Sequence, residues 1–327
     1  MLTPRTGPVV IACGADDRYV QPLGVMLCSV LANLRAGQDV AIYVLDGGIS
    51  AAGKARLLEC WSGSRVTPHW LPVEDSRFSG LPLWGRMPVS TYLKLLVPDL
   101  LPGHVERAIW LDCDLVALGD LSRLWESASE GRHLLAVQDQ VVPFVSSRDG
   151  VAGYRELGLP GEAKYFNAGV MVIDLALWRR DDIPGRVLEH LRRYRERVVF
   201  WDQEGLNAVL AGRWAELDAR WNYNVSAGLH RRRRTPGTSP DGQPWVVHFT
   251  GNLKPWVYEG GNPHHARYFE YLDRTPWAGW RPAPTLRGRL AALYERSGLR
   301  SLLYPAEAWA MHLFRAATRR YAPDSVG

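Results

Sequence analysis

Asp112 and Asp114 stand one residue apart at the end of the apolar run Ala108-Ile109-Trp110-Leu111. In extended chain, residues i and i+2 point to the same side, so both carboxylates can converge on one hard divalent cation while Cys113 turns away into a sheet. The plainer reading is that the two acids cap the following turn. A cation held by two carboxylates needs more ligands, and phosphate oxygens and a late histidine are natural supplements. His248 ends the apolar run Trp245-Val246-Val247 and is followed by Gly251 and Lys254. Glycine allows close phosphate approach and lysine neutralises its charge, although a histidine that ends a strand is often a hydrogen-bonded core residue. Mixed carboxylate and imidazole ligation favours Mn2+, with Mg2+ the alternative and Zn2+ less suited because no cysteine joins the set.

The elements that must position these groups read as alternating strands and helices. Val9-Val10-Ile11-Ala12-Cys13 is a strand ending at Gly14-Ala15-Asp16-Asp17, and Leu23, Met26, Leu27, Val30, Leu31 and Leu34 recur at helical spacing after it. A strand over 40–45, a helix over 50–61 and an extended piece over 66–71 follow. This order predicts an α/β fold with a mainly parallel sheet covered by helices. In such sheets ligands bind beyond the carboxyl ends of the strands, where both Asp16/Asp17 and Asp112/Asp114 lie. Thr91 to Leu96 reads as a helix closed by Pro98 and Pro102, and Asp120 as the cap of a helical turn through Trp125. Strands are expected at 134–137, ending at Gln138-Asp139, at 165–175, and at 245–249. A helix is expected over 183–194, and Trp201-Asp202-Gln203-Glu204 precedes a further helix containing Leu206 and Leu210.

A chain of 327 residues, 46% of them hydrophobic, is long enough for one large catalytic core, 1–280, plus a short extension, 281–327. Cys13, Cys28, Cys60 and Cys113 lack metal-ligand pairing and sit in apolar segments, as reduced thiols do in a cytoplasmic protein. No stretch reaches the ~20 apolar residues of a membrane span, and no signal peptide is evident. The net charge of +5 resides in the extension, where eight arginines from Arg281 to Arg320 face Glu295, Glu307 and Asp324. The body is therefore neutral, which argues against a nucleic-acid channel. Leu286, Leu290 and Leu293, and again Trp309, Leu313 and Ala317, share helical faces. Such basic amphipathic segments pack on their own protein or contact an anionic membrane surface. The run Arg231–Arg234 reads as a solvated loop.

Several segments in order resemble the retaining sugar-nucleotide glycosyltransferases of family eight, which include glycogenin and a bacterial lipooligosaccharide α-galactosyltransferase. They are Ala15-Asp16-Asp17-Arg18-Tyr19, Thr91-Tyr92-Leu93-Lys94-Leu95, Leu111-Asp112-Cys113-Asp114, Phe166-Asn167-Ala168-Gly169-Val170, Trp201-Asp202-Gln203-Glu204 and His248 through Trp256. The resemblance covers about residues 8–280. It implies a GT-A type fold, a UDP-sugar donor of glucose or galactose, and Mn2+ bound by Asp112, Asp114 and His248. It also implies that Gly251 and Lys254 serve the diphosphate, Asp16 reads the uracil edge and Tyr19 stacks on the base. Lys94, Asp139, Asn167, Asp202 and Gln203 would surround the donor sugar. Similar enzymes often carry Arg at the position of Lys94 and Asn at that of Arg18, departures that bear on donor choice.

Retention through a covalent glycosyl-enzyme needs a carboxylate below the anomeric carbon, and Asp202 and Glu204 are the acids of that segment. Family precedent places Gln203 there, a feeble nucleophile, which favours same-face attack with the departing phosphate helping to deprotonate the acceptor. A UDP-sugar-binding protein without turnover, or a metal-dependent nucleotidyltransferase, would use a similar set of acids. The acceptor is a glycan, lipid-linked, protein or small-molecule hydroxyl. Trp84, Trp256 and Trp277 are candidates for stacking on sugars.

Overall fold

The computed structural model describes residues 7–61, 65–73, 76–83, 89–226, 242–251, 254–257 and 264–285, with positions 290, 317, 320 and 321 beyond. The Arg231–Arg234 run, Trp84 and most of both expected tail helices lie outside the described residues.

Strand β1 (Val9–Ala15), helix α1 (Val20–Asn33), β2 (Val40–Asp46), α2 (Ala51–Trp61) and β3 (Val66–Pro72) alternate as the pattern predicts. A short β4 (Pro82–Leu83), a 3-10 segment (Val89–Leu96) and α3 (Val97–Leu100) lead to β5 (Arg107–Leu111). Then come β6 (Leu115–Ala117), α4 (Leu121–Trp125), β7 (Leu134–Gln138), β8 (Phe166–Asp174), α5 (Leu175–Arg180), α6 (Ile183–Arg193), α7 (Trp201–Leu210) and β9 (Trp214–Glu216). The last elements of the body are β10 (Tyr223–Asn224), β11 (Val246–His248) and α8 (His265–Leu272).

The main sheet has the order β3-β2-β1-β5-β8-β7-β9. β8 lies antiparallel to both its neighbours, and the other six strands share one direction. Alternate strand residues feed two cores. Ile11, Ile42, Ile109 and Val172 pack with α1, α2 and α4, while Ala12, Tyr43, Trp110 and Met171 pack with α5, α6 and α7. With both faces covered, the strands read as continuous apolar runs. A second sheet, β10-β11-β6, sets β11 antiparallel to β6 with His248 opposite Leu115. This register carries a residue from late in the chain to the side of Asp114.

Three local expectations change. Thr91 to Leu96 is 3-10 rather than α-helical, and Pro98 does not close it but sits in the first turn of α3, where its missing N–H costs nothing. Trp201 to Glu204 do not precede a helix; they are the first turn of α7. Trp201 enters that turn with φ 42°, a strained conformation for a bulky residue. Asp120 caps α4 as expected, accepting from the Ser122 N–H. Of the extension, Arg320–Tyr321 (β12) pairs antiparallel with β4, so that end returns to the main body. Among the described residues no helix is long and apolar enough to cross a membrane.

His190 on α6 is buried beside Tyr194, ring centroids 4.9 Å apart. Burial, reinforced by Arg193 and Arg197, lowers its pKa to about 4. The unfolded chain protonates His190 first as pH falls, so this group's contribution is complete above about pH 6.5 and is lost towards pH 4. His190→Phe keeps the ring and removes the proton site. Urea unfolding of wild type and variant should converge by roughly 2 kcal/mol, in the variant's favour, between pH 7 and about pH 4.5. Parallel pH profiles would contradict the assignment.

Candidate active site

The turn Asp112-Cys113-Asp114 joins β5 of the main sheet to β6 of the small one. Its backbone is fixed on both sides: Asp112 N–H donates to Gly169 O at 2.9 Å, and Asp114 O accepts from Phe249 N–H at 2.8 Å. Cys113 is buried with Sγ 3.1 Å from Gly14 O, so the intervening side chain turns inward as i, i+2 geometry requires. Asp112, Asp114 and His248 then each offer one ligand atom, all within 4.8 Å of one another.

The surroundings of this cluster fit a cation. His248 Nδ1 lies 2.9 Å from Asn222 Oδ1, and Asn222 Nδ2 donates to Asn167 Oδ1 at 2.9 Å. The hydrogen-bond network therefore assigns the imidazole proton to Nδ1, leaving the Nε2 lone pair facing Asp114 Oδ1 at 3.1 Å. A lone pair opposed to a carboxylate oxygen suits a positive charge between them, and a hydrogen-bonded distal nitrogen is the usual support for a metal-ligating histidine. Lys254 Nζ donates to Asp114 Oδ2 and to Phe249 O. Burial works against the Asp114 carboxylate, but the Lys254 ammonium beside it outweighs that and holds its pKa well below the ordinary range.

The second part of the site grows from an irregularity in β8. Its pairing with β7 jumps from Ala136↔Met171 to Val137↔Asn167, which leaves Ala168, Gly169 and Val170 without β7 partners. Site side chains meet backbone groups of the first two. Ala168 N–H donates to Gln203 Oε1 at 3.0 Å and Ala168 O accepts from Lys94 Nζ at 3.3 Å. Gly169 N–H donates to Asn167 Oδ1 at 3.0 Å. Asn167 Nδ2 and Gln203 Nε2 both donate to Asp139 Oδ2, at 2.9 and 3.2 Å.

Lys94 is buried, its Nζ 2.7 Å from Asp202 Oδ2 and 3.2 Å from Asp112 Oδ1. Burial disfavours the ammonium, but the fields of Asp112 and Asp202 prevail and raise its pKa. For Asp202, burial prevails over the pull of Lys94 and its pKa is raised. Asp202 Oδ1 also accepts from Thr91 Oγ1 at 3.0 Å. Glu204, the other acid of this segment, is fully buried and accepts from the N–H groups of Ala152, Val199 and Phe200. It anchors the 139–165 connection to α7.

At the opposite rim, Tyr19 packs edge-on to Trp256 with centroids 5.9 Å apart. Burial, and after it the negative charge of Asp114, raises the pKa of the Tyr19 hydroxyl, so this ring borders the cluster. Asp16 caps the turn Asp17–Tyr19 through Arg18 N–H and pairs with the Arg18 guanidinium. Asp17 accepts from Ser50 N–H at 3.0 Å, a turn acid that ties β1 to the start of α2. Gly251 takes φ 77°. Trp277 is no sugar platform; it packs over Gly24 of α1, with Arg56 stacked on its ring. Sequence reasoning missed Asn222. No local pattern signals it, because it closes the 3-10 turn Ala219–Asn222 and is brought beside His248 by the pairing of β10 with β11.

Gly169 shows how tight the assembly is. A Cβ there would lie 2.2 Å from His248 Cε1 and 2.7 Å from Nδ1. Gly169→Ala should displace the imidazole and weaken divalent-metal binding about 10–100-fold, the usual loss when a ligand's support is removed. Mn2+ titration followed by electron paramagnetic resonance would check this; wild-type affinity would contradict it.

The glycosyl transferase family 8 profile matches residues 10–260. General stress protein A of Bacillus subtilis is 31% identical over 279 residues, covering 82% of this chain and 94% of that protein. Lipopolysaccharide 1,3-galactosyltransferase of Salmonella typhimurium is 24% identical, covering 82% and 78%. The crystal structure of the galactosyltransferase LgtC with donor and acceptor sugar analogues superposes with a TM-score of 0.71 at 26% identity, covering 82% of this chain and 96% of that one. The α/β scaffold is thus of the GT-A type. The chain belongs to glycosyl transferase family 8, and membership implies a nucleotide-sugar donor and an acceptor.

Proposed function

We propose that this protein is a retaining hexosyltransferase that moves glucose or galactose from a UDP-sugar to an acceptor hydroxyl with the help of Mn2+. The observation that carries the reading is the convergence of Asp112, Asp114 and His248 from two sheets onto one point. Lys254 flanks that point on one side, and the Lys94, Asp202, Asp139, Asn167 and Gln203 network flanks it on the other. Relatives named for galactosyl and glucosyl transfer support a hexose donor.

Bound by these three residues, Mn2+ would neutralise charge that builds on the donor's diphosphate. Lys254 supplies a second cation at the same place, paired with Asp114. Tyr19 gives an aromatic wall for the base, with Asp16 beside it. Lys94, Asp139, Asn167 and Gln203 form a preorganised hydrogen-bonding wall for the sugar, built on strands and a helix rather than free loops.

The acids available for covalent catalysis are already engaged. Asp202 is tied to Lys94 and Thr91, and Glu204 is spent on backbone N–H groups. Both ends of the Gln203 amide are bonded as well. These occupancies support same-face displacement, in which the sugar–phosphate bond breaks and the departing phosphate oxygen takes the acceptor's proton. The test is a screen of UDP-hexoses for Mn2+-stimulated UDP release, with the anomeric configuration of the product read by NMR. Release of pyrophosphate, or inversion, would overturn the reading, and a glycosyl adduct trapped on Asp202 would overturn same-face attack.

A further inference from the structure

We propose that Asn222 is a positioning residue, fixing the tautomer of His248 and joining the metal-binding imidazole to the Asn167–Asp139 pair. The inference rests on the transferase reading above for the roles of those residues, and on the hydrogen-bond network for the coupling itself. Asn222 is 2% exposed and lies at the end of the 3-10 turn Ala219–Asn222, where it enters β10.

One donor in this network cannot reverse. Gly169 N–H is a backbone group, and it points at Asn167 Oδ1 at 3.0 Å; that atom is therefore the amide oxygen. Asn222 meets the same oxygen at 2.9 Å and must present its NH2. Its own oxygen is then the atom 2.9 Å from His248 Nδ1, which must carry the proton. A flipped Asn222 would oppose oxygen to oxygen at Asn167 and N–H to N–H at His248, leaving buried polar groups unsatisfied.

The same chain reaches the other side of the site. Asn167 Nδ2 donates to Asp139 Oδ2 at 2.9 Å, and Asp139 Oδ1 accepts from Val141 and Val142 N–H at 2.8 Å each. Asn222 thus links a group aimed at the cation to groups aimed at the sugar, beside the separate contact of Asp112 with Lys94 at 3.2 Å.

Histidine labelled with 15N in the metal-free protein, with His248 assigned through His248→Gln, reports the tautomer directly. Wild type should show the proton on Nδ1. Asn222→Leu, of similar volume, should let it move to Nε2, where Asp114 Oδ1 can accept it, and should lower Mn2+ affinity in the presence of UDP about 10–100-fold. Asn222→Asp retains an acceptor for His248 and should keep the proton on Nδ1, a rescue that a merely space-filling role would not give, although it loses the donor to Asn167 Oδ1. Should Asn222→Leu fail to fold, Asn222→Ser carries the same expectation. An unchanged Nδ1 tautomer, or wild-type Mn2+ affinity in the Leu or Ser variant, overturns the coupling alone. Wild type that binds no Mn2+ overturns the transferase reading and the coupling with it.

Discussion

Asp112→Asn should lower Mn2+-stimulated UDP release from the donor about 10³-fold or more, because losing a charged ligand removes several kcal/mol of stabilisation from the departing diphosphate. The fold should survive. Lys94 Nζ lies between Asp112 at 3.2 Å and Asp202 at 2.7 Å, so removing one carboxylate leaves the buried ammonium paired. The Trp110 Nε1–H that donates to Asp112 Oδ1 at 2.7 Å finds an oxygen in asparagine as well. The melting temperature should therefore stay within about 3 °C of wild type. Asp114→Asn is the less clean test, since His248 and Lys254 both lean on that carboxylate. Turnover by Asp112→Asn with an unaltered Mn2+ dependence would remove the proposed metal site.

Lys94→Met should cost about 3–5 kcal/mol of stability at neutral pH, the usual penalty for leaving a buried charge without its partner. Methionine fills similar space but offers nothing to Asp202, whose side chain is 5% exposed, and Ala168 O loses a donor. The pH dependence has a definite sign. Asp202 already has a raised pKa from burial, and without Lys94 it rises further. The folded variant then holds a proton that the unfolded chain has released, so its stability rises as pH falls from 7 towards about 5.5. His190 acts in the opposite sense, which separates the two effects. Urea titrations at the two pH values would measure this. A deficit that does not shrink at the lower pH would mean that Asp202 is not the stranded charge.

Much of the scaffold was legible from residue pattern. The apolar runs of β1, β2 and β5, and the helical spacing of α1, follow from burial on both faces of a covered sheet. The reversed direction of β8 was not legible, because an apolar strand buried on both faces looks the same in either direction. Nor was the β7–β8 irregularity, which depends on pairing between segments about 30 residues apart. Trp201-Asp202-Gln203-Glu204 was misplaced by one turn, since a strained φ at Trp201 begins the helix earlier than any capping residue would suggest.

Within the site, residue order supplies the kinds of group available to hold a cation. An acid pair at i and i+2, a strand-ending histidine and a following glycine and lysine are chemical facts of the chain, and extended geometry alone turns Asp112 and Asp114 the same way. Only the tertiary structure decided which groups meet. The β11–β6 register puts His248 beside Asp114, burial makes Lys94 the partner of two carboxylates, and backbone N–H groups occupy Glu204. The reason is physical: a residue's type fixes what it can donate, accept or ligate, whereas its pKa, its tautomer and its neighbours depend on long-range pairing and solvent exclusion that no local pattern encodes.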